Sequence, residues 1–227
     1  MAVLQKNSSR AKKKVFIVDD HPIVRQGLAQ LINQQSDLIV CGEGSDVTHS
    51  KKSISKCKPD LAIVDLSLGN SSGLRLIEDL AHEFPSLNVM TLSMHDESIY
   101  GERCLKAGAK GYIMKQETPE NVMQAIRKVL QGEIYVSHNL QKLLLGKLIT
   151  DKSEVYRSPI SRLSNRELEI FQLIGQGMKN KIIAKNLNLS SKTVETHIEH
   201  IKSKLNFSDF RELHTYAVRW AMSEQID

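Results

Sequence analysis

Asp60-Leu61-Ala62-Ile63-Val64-Asp65-Leu66 is the stretch on which the fold turns. Four apolar residues stand between two acids, with Pro59 before them and a Gly-rich loop from Gly69 to Gly73 after them. A run this short, bracketed by turn formers, fits a strand buried on both faces rather than a helix. Such a strand delivers Asp65 to its end, and in an open α/β sheet the strand ends are where chemistry sits.

Working outward, strand-like and helix-like stretches alternate five times. The spacing predicts strands at Val15 to Val18, Leu38 to Cys41, Asp60 to Asp65, Asn88 to Ser93 and Gly111 to Met114. Each is followed by a helical pattern: Pro22 to Gln34, about Asp46 to Lys56, Leu74 to Phe84, Ser98 to Ala107 and Pro119 to Leu130. Pro22 suits a first helical turn, and Gly108 suits a C-terminal cap. Strict alternation implies a parallel five-stranded sheet with right-handed crossovers and helices on both faces.

On that frame the polar residues gather at one rim. Asp19 and Asp20 end the first strand, Asp65 the third, Ser93 the fourth and Lys115 the fifth. Each would be costly to bury unpaired, so their convergence points to a site. Phosphoryl transfer to a carboxylate needs this set. Asp19, Asp20 and Asp65 supply hard oxygen ligands for Mg2+, and the central Asp65 is the candidate nucleophile. Lys115 offers a point charge to the incoming phosphoryl oxygens and Ser93 a hydroxyl donor. His21, beside the acidic pair, is a surface neighbour rather than a ligand, because Mg2+ prefers oxygen. Gly42-Glu43-Gly44 lacks the third glycine of a dinucleotide loop and reads as a turn.

Composition sets the bounds. The 227 residues, 41% of them hydrophobic, suffice for two domains with real cores. No apolar run reaches the length of a membrane helix, and the N-terminus has no apolar signal-peptide core, so a cytoplasmic protein with no membrane contact is expected. Cys41, Cys57 and Cys104 lie far apart without a C-x-x-C pair, which argues against a disulfide framework or zinc site and for small buried hydrophobes. Charge is uneven: residues 1–14 carry +5, residues 15–132 carry −3, residues 133–160 carry +1 and residues 161–227 carry +2. The expected organisation follows these segments: a basic tail (1–14), an α/β domain (15–132), a linker (133–160) and a small helical domain (161–227).

In the linker, Leu140, Leu143, Leu144 and Leu148 recur at helical spacing, so an amphipathic helix is expected to cover apolar surface of its own chain. Asp151 to Pro159 reads as a polar hinge. Ser164-Asn165-Arg166-Glu167 is a capping box, flanked by a Leu163 and Leu168 staple, and starts a helix that stops at Gly175 to Gly177. A short helix over Ile182 to Leu187, a turn at Asn188 to Ser190 and a longer helix from Ser191 to Leu205 follow. Val194, Ile198, Ile201 and Leu205 make its apolar stripe. Lys192, Glu195, Thr196, Glu199 and Lys202 lie on the other face, with His197 nearer the boundary. Two helices joined by a three-residue turn are the helix-turn-helix design for the DNA major groove. A last helix, Asp209 to Met222, shows Phe210, Leu213, Ala217 and Trp220 on one face.

Two resemblances sharpen this. Val15-Phe-Ile-Val-Asp-Asp-His-Pro22, Leu61-Ala-Ile-Val-Asp-Leu66, Thr91-Leu-Ser-Met-His95 and Gly111-Tyr-Ile-Met-Lys115 together resemble the receiver domain of two-component response regulators. Leu163-Ser-Asn-Arg-Glu167, Gly177-Met-Lys-Asn-Lys-Ile-Ile-Ala184 and Leu189-Ser-Ser-Lys-Thr-Val-Glu-Thr-His-Ile198 resemble the LuxR-type helix-turn-helix. The whole chain looks like a NarL/FixJ-type response regulator. The resemblance implies a flavodoxin-like sheet, phosphorylation of Asp65 by a sensor histidine kinase, and the backbone carbonyl of Ser67 as a further Mg2+ ligand. It also implies a switch in which Ser93 moves toward the phosphate and Tyr112 rotates inward. Lys192, Thr193, Thr196 and His197 are placed at or near double-stranded DNA, with Asn180 and Lys181 near its phosphates. The last helix, through Leu213, Ala217 and Trp220, is implied to serve a homodimer; its stripe alone fits a cap on its own bundle, and both can hold for different faces. Gln116 replaces the proline common after the lysine, and Lys179 replaces the usual hydroxyl cap, which predicts a fraying helix start. Glu195 and Glu199 either accept from cytosine at a base edge, point sideways and steer against wrong sites, or belong to a solvated face.

The reading expected from the sequence is a transcription regulator, not an enzyme, in which the unphosphorylated first domain covers or misplaces the DNA helix until Asp65 is phosphorylated. Two other classes stand beside it: a phosphorylation-independent DNA-binding protein whose first domain only dimerises, and an Mg2+-dependent phosphohydrolase.

Overall fold

The computed structural model describes residues 11–69, 71–149 and 158–223. Five parallel strands, β1 (Lys13–Val18), β2 (Leu38–Gly44), β3 (Leu61–Val64), β6 (Asn88–Ser93) and β7 (Gly111–Met114), form one sheet in the order β2-β1-β3-β6-β7. Between them run α1 (Pro22–Asn33), α2 (Val47–Cys57), α3 (Gly73–Glu83), α4 (Glu97–Lys106) and, after β7, α5 (Pro119–Leu130). The sheet is buried on both sides, as the uninterrupted apolar strands require. Val15 and Ile17 of β1, with Leu61 and Ile63 of β3, pack against α1 and α5 residues such as Ile32 and Ile126. Phe16, Val18, Ala62 and Val64 face the opposite way, toward Ile54, Leu76 and Cys104. Each Val, Leu, Ile or Phe among them contributes about 1.5–3 kcal/mol when fully buried.

Three features were not legible as strands: Gly42-Glu43-Gly44, expected as a turn, is the end of β2 and pairs with Phe16 to Val18 of β1. β4 (Ser67–Leu68) and β5 (Ser71–Ser72) make a two-residue antiparallel ladder in the loop after β3. β1 also begins two residues early, because Lys13 Nζ pairs with Asp60 at 2.6 Å and the Lys14 amide donates to its other oxygen at 2.8 Å. Gly73, at the start of α3, is obligatory for packing: a Cβ there would stand 2.0 Å from the Asp65 carbonyl oxygen.

After α5, Tyr135 bridges to Gly111 at the sheet edge, and α6 (His138–Ile149) folds back onto α4. Leu140 is buried there, over Gly101, where any Cβ would lie 2.3 Å from Leu140 Cδ2. Thus the linker helix covers its own chain; the side chain of Leu148 lies outside the described residues. So do residues 1–10 of the basic tail and 151–157 of the expected hinge. Where the hinge reading ended, Pro159–Arg162 is a turn of 3-10 helix.

The helical part comprises α7 (Asn165–Gly175), α8 (Asn180–Asn186), α9 (Ser191–Leu205) and α10 (Phe210–Ser223). The capping box at the start of α7 is formed in both directions, Ser164 Oγ accepting from the Glu167 amide and Glu167 Oε2 from the Ser164 amide. The expected dimer face on α10 is corrected. Leu213 and Ala217 are fully buried within their own bundle, and the Ala217 carbonyl would lie 2.5 Å from a Cβ on Gly175 of α7. Trp220 stacks on Phe171 with ring centroids 5.4 Å apart. Leu213 and Ala217 are thus closed to a second copy, whereas Trp220 is half-buried and α10 keeps an outer face that includes Phe210 and Met222.

Candidate functional site

Asp19, Asp65 and Lys115 meet at the carboxyl edge of the sheet. β1 and β3 are neighbours and both stop there; β7 brings Lys115 to the same rim from two strands away. The Lys115 side chain is 6% exposed, and its ammonium lies 2.7 Å from Asp65 Oδ2 and 2.8 Å from Asp19 Oδ2. Burial works against that charge, but the two carboxylates outweigh it and raise the lysine above its ordinary pKa. Asp65 is 2% exposed. Burial pushes its carboxyl upward, Lys115 opposes this, and the like charge of Asp19 adds to it. Asp20 accepts from the Gly69 amide at 2.9 Å through Oδ2, while its Oδ1 lies 2.8 Å from His21 Nδ1. Asp19 accepts from the His21 amide, and Arg25 donates to the Asp19 carbonyl at 2.6 Å.

Oxygen atoms of Asp19, Asp20 and Asp65, with a nitrogen of His21, lie within 4.8 Å of one another. Three converging hard carboxylate donors fit a small divalent cation such as Mg2+. The residues that could hold it are Asp19, Asp20 and Asp65.

The loop after β6 carries a residue to which the sequence reading gave no role. The His95 amide donates to Ser93 Oγ at 3.2 Å, its Nε2 lies 2.9 Å from Ser67 Oγ, and its carbonyl accepts from the Tyr112 hydroxyl at 2.6 Å. Ser93 is fully buried, and Tyr112, 1% exposed, has its side chain already inside. His95 therefore ties together the loop after Asp65, the candidate hydroxyl and the candidate switch aromatic. Only its place two residues after Ser93 could have flagged it. Cys41 and Cys57, distant in sequence, are adjacent in space; burial pushes the Cys41 thiol up to about 12, with Cys57 adding to it, which leaves it unreactive.

On the second surface, α9 presents Lys192, Glu195, Thr196 and Glu199 exposed, with Thr193, His197 and Lys202 half-buried. Ser190 caps the helix by accepting from the Thr193 amide. Thr196 Oγ1 donates back to the Lys192 carbonyl, and Lys202 pairs with Glu199 at 2.9 Å, so Glu199 is partly neutralised and Glu195 is not. Asn180 and Lys181 stand at the start of α8, where Lys179 gives no side-chain cap but its carbonyl still accepts from Ile182 and Ile183. The arrangement leaves the outward face of α9 open. The expected cover over the DNA helix is thus not what this fold has.

Residues 15–127 match the response regulator receiver domain, and residues 161–217 match the bacterial regulatory proteins of the luxR family. The oxygen regulatory protein NreC of Staphylococcus epidermidis is 38% identical over 216 residues, which span 93% of this chain and 99% of NreC. This chain belongs to the NarL/FixJ family of two-component response regulators. RcsB of Salmonella enterica serovar Typhimurium, solved on a promoter in the presence of the phosphomimetic BeF3−, matches with a TM-score of 0.71 and 29% identity over 91% of this chain and 98% of RcsB. A structure of two RcsB dimers bound to two parallel DNAs matches at a TM-score of 0.56 and 27% identity, over 90% of this chain and 97% of that one. The response regulator is accordingly a DNA-binding transcription regulator with a LuxR-type helix-turn-helix. No helix among the described residues is long and apolar enough to cross a membrane.

In this response regulator the receiver docks on α7 and the turn before it. Arg103 of α4 donates to the carbonyls of Leu163 and Ser161 and to Asn165 Oδ1, at 2.6, 3.3 and 2.9 Å. Gln172 of α7 donates to the Tyr100 hydroxyl at 2.5 Å, and the Tyr100 ring stacks on His95 with centroids 4.7 Å apart. A cleft of about 220 Å³ lies between, lined by Asp20, Ser67 and His95 on one side and Leu168, Gln172 and Leu173 on the other. The acidic site therefore opens toward α7 of the DNA-binding domain.

Proposed function

We propose that Asp65 is the phosphoacceptor of this response regulator and that its phosphorylation, by a sensor histidine kinase with Mg2+ held by Asp19, Asp20, Asp65 and the Ser67 carbonyl, controls DNA binding as a dimer. The observation that carries this reading is the buried Lys115 ammonium shared between Asp65 and Asp19. An Asp65 oxygen attacks phosphorus, the bond from phosphorus to the donor nitrogen breaks, and the donor imidazole keeps the electron pair. Lys115 then has a phosphoryl oxygen to pair with, and Asp19 still holds it from the other side. The metal, when bound, neutralises phosphoryl oxygens during the transfer.

The signal leaves through His95. Drawing Ser93 Oγ toward a phosphoryl oxygen breaks its bond from the His95 amide, and His95 Nε2 stays tied through Ser67 Oγ to the loop that follows Asp65. His95 stacks on Tyr100, and Tyr100 accepts from α7, so the movement reaches the DNA-binding domain without touching α9. The covering of the DNA helix gives way to a restraint on domain placement: two half-sites one helical turn apart can be met only if the domains are free to take up a two-fold arrangement. The RcsB dimers on DNA support the dimeric reading. With Leu213 and Ala217 inside the bundle, a contact through α10 is left with residues such as Phe210 and Met222, which are exposed.

The test is the intact mass after acetyl phosphate and Mg2+, with Asp65→Asn beside it. One phosphoryl adduct on the wild type and none on the variant is expected, together with tighter DNA binding by the phosphorylated form. If beryllofluoride, added instead, leaves DNA affinity unchanged, the receiver is a constitutive dimerisation module.

A further inference from the structure

A second group of ligating side chains lies away from the receiver site. Glu167 in the first turn of α7, and His197 and His200 on α9, place one donor atom each within 4.8 Å of one another. His197 and His200 are three residues apart, hence on one face of their helix. Glu167 is 4% exposed. Its Oε2 is engaged by the Ser164 amide at 2.7 Å and by Lys204 Nζ at 2.6 Å, whereas Oε1 faces His200 Nδ1 at 4.0 Å, beyond hydrogen-bond distance. His197 Nδ1 is buried and has no hydrogen-bond partner. The two imidazoles stand edge to face with centroids 6.4 Å apart.

An ionised carboxylate with one oxygen to spare, a buried imidazole nitrogen with no partner and a second imidazole just out of reach are three donors waiting for one acceptor. Nitrogen, nitrogen and oxygen suit a borderline-soft divalent ion rather than Mg2+ or Ca2+. Around tetrahedral zinc, with bonds of about 2.0–2.2 Å, donors sit about 3.4 Å apart. A spacing of up to 4.8 Å has to contract by as much as about 1.4 Å, and the His200 side chain, 61% exposed, is free to close it. We propose that Glu167, His197 and His200 form a zinc site, with water in the fourth position. Zinc there would clamp α9 to the first turn of α7, alongside the Lys204 pair, and so fix the DNA helix on its scaffold.

The receiver acids are a competing place for any divalent ion, so the experiment separates the two. Full-length protein is stripped with chelator and titrated with Zn2+ against a chromophoric competitor, in wild type, His200→Asn and Asp20→Asn. One zinc per chain is expected, with affinity at least tenfold weaker in His200→Asn and unchanged in Asp20→Asn. Co2+ in place of zinc should give the intense visible bands of a tetrahedral centre, lost in His200→Asn. His200→Gln gives the same comparison if the first variant folds poorly. Equal zinc affinity in wild type and both His200 variants, loss of binding in Asp20→Asn alone, or no zinc retained at micromolar concentration would overturn the site.

Discussion

The Arg103 guanidinium donates to the Leu163 carbonyl at 2.6 Å and so joins the receiver to the turn that precedes the DNA-binding domain. Arg103 is a half-buried side chain whose planar fork also reaches Asn165 and the Ser161 carbonyl. Burial holds its pKa below the ordinary arginine value, with Tyr100, Cys104 and Glu167 opposing, and the group stays charged. A lysine has one centre and cannot reproduce the fork. Arg103→Lys and Arg103→Ala should both loosen docking, the alanine by about 1–3 kcal/mol, since acceptors are left unpaired. Small-angle scattering of unphosphorylated protein should show a larger radius of gyration for Arg103→Ala, and an unchanged radius would mean that apolar contacts alone hold the domains.

The contact between Tyr100 and Gln172 makes a separate prediction, because it lies on the route from Asp65 rather than beside it. Gln172→Leu removes the donor to the Tyr100 hydroxyl while keeping bulk against the receiver. The expected outcome is DNA binding by unphosphorylated protein that approaches that of the phosphorylated wild type, so that the ratio of the two affinities falls several-fold. A ratio equal to that of the wild type would take Tyr100 out of the coupling.

How far these residues were legible differs by kind. The five strands and the rim residues Asp19, Asp65 and Lys115 could be read because a doubly buried strand leaves an uninterrupted apolar run, and its end is marked by the first charge. Arg103, Tyr100 and Gln172 could not, because each sits on an amphipathic helix whose period says only which face is outward, and docking partners 58 or more residues away leave no local pattern. The same limit applies to α10. Leu213 and Ala217 lie on an apolar stripe, and a stripe does not tell whether its cover is the same chain or another. Ser67 to Ser72 escaped because a two-residue ladder has no period at all.

Asp65 carries a cost that its substitution should relieve. It is buried beside Asp19, both share one lysine, and its pKa is raised by burial. For an acid whose folded pKa lies above its ordinary value of 3.8, stability falls as pH rises through the folded value. Asp65→Asn should therefore raise the apparent Tm at neutral pH without Mg2+ by about 2–4 °C, equivalent to about 1 kcal/mol for a chain of this size. Added Mg2+ should stabilise the wild type more than the variant. A lower Tm for Asp65→Asn would mean that the bond from Lys115 outweighs burial.

Glu167 gives the opposite sign in the other domain. Burial raises its pKa, but Lys204 and the Ser164 amide outweigh that and leave it below the ordinary 4.5. A depressed acid contributes stability that is present above its unfolded pKa and lost as pH falls through the folded value. The acid limb of unfolding for the DNA-binding domain should thus lie below pH 4.5, followed through the fluorescence of Trp220, which stacks on Phe171 of α7. Lys204→Met leaves Glu167 with only the cap and should cost about 1–3 kcal/mol at neutral pH. It should also shift that limb to higher pH, toward the ordinary value; a limb in the same place would show that the cap alone depresses Glu167.

Lys192 and Glu195 are exposed on α9 and test what the open face reads. Lys192→Ala should weaken binding to all sequences alike and reduce the slope of log affinity against log salt by about 1, as expected for one lost phosphate contact. Glu195→Gln should behave differently according to its role. A carboxylate accepting from a cytosine amine contributes about 1–3 kcal/mol of discrimination, so its loss lowers affinity for the operator relative to random DNA. A carboxylate that only faces phosphates repels them, and its loss tightens binding to both. Glu199, already paired with Lys202, is the internal comparison, and Glu199→Gln should change either affinity less than Glu195→Gln does. Binding measured at several salt concentrations on specific and random duplexes separates these outcomes, and an effect at Glu199 as large as that at Glu195 would place both acids on the groove.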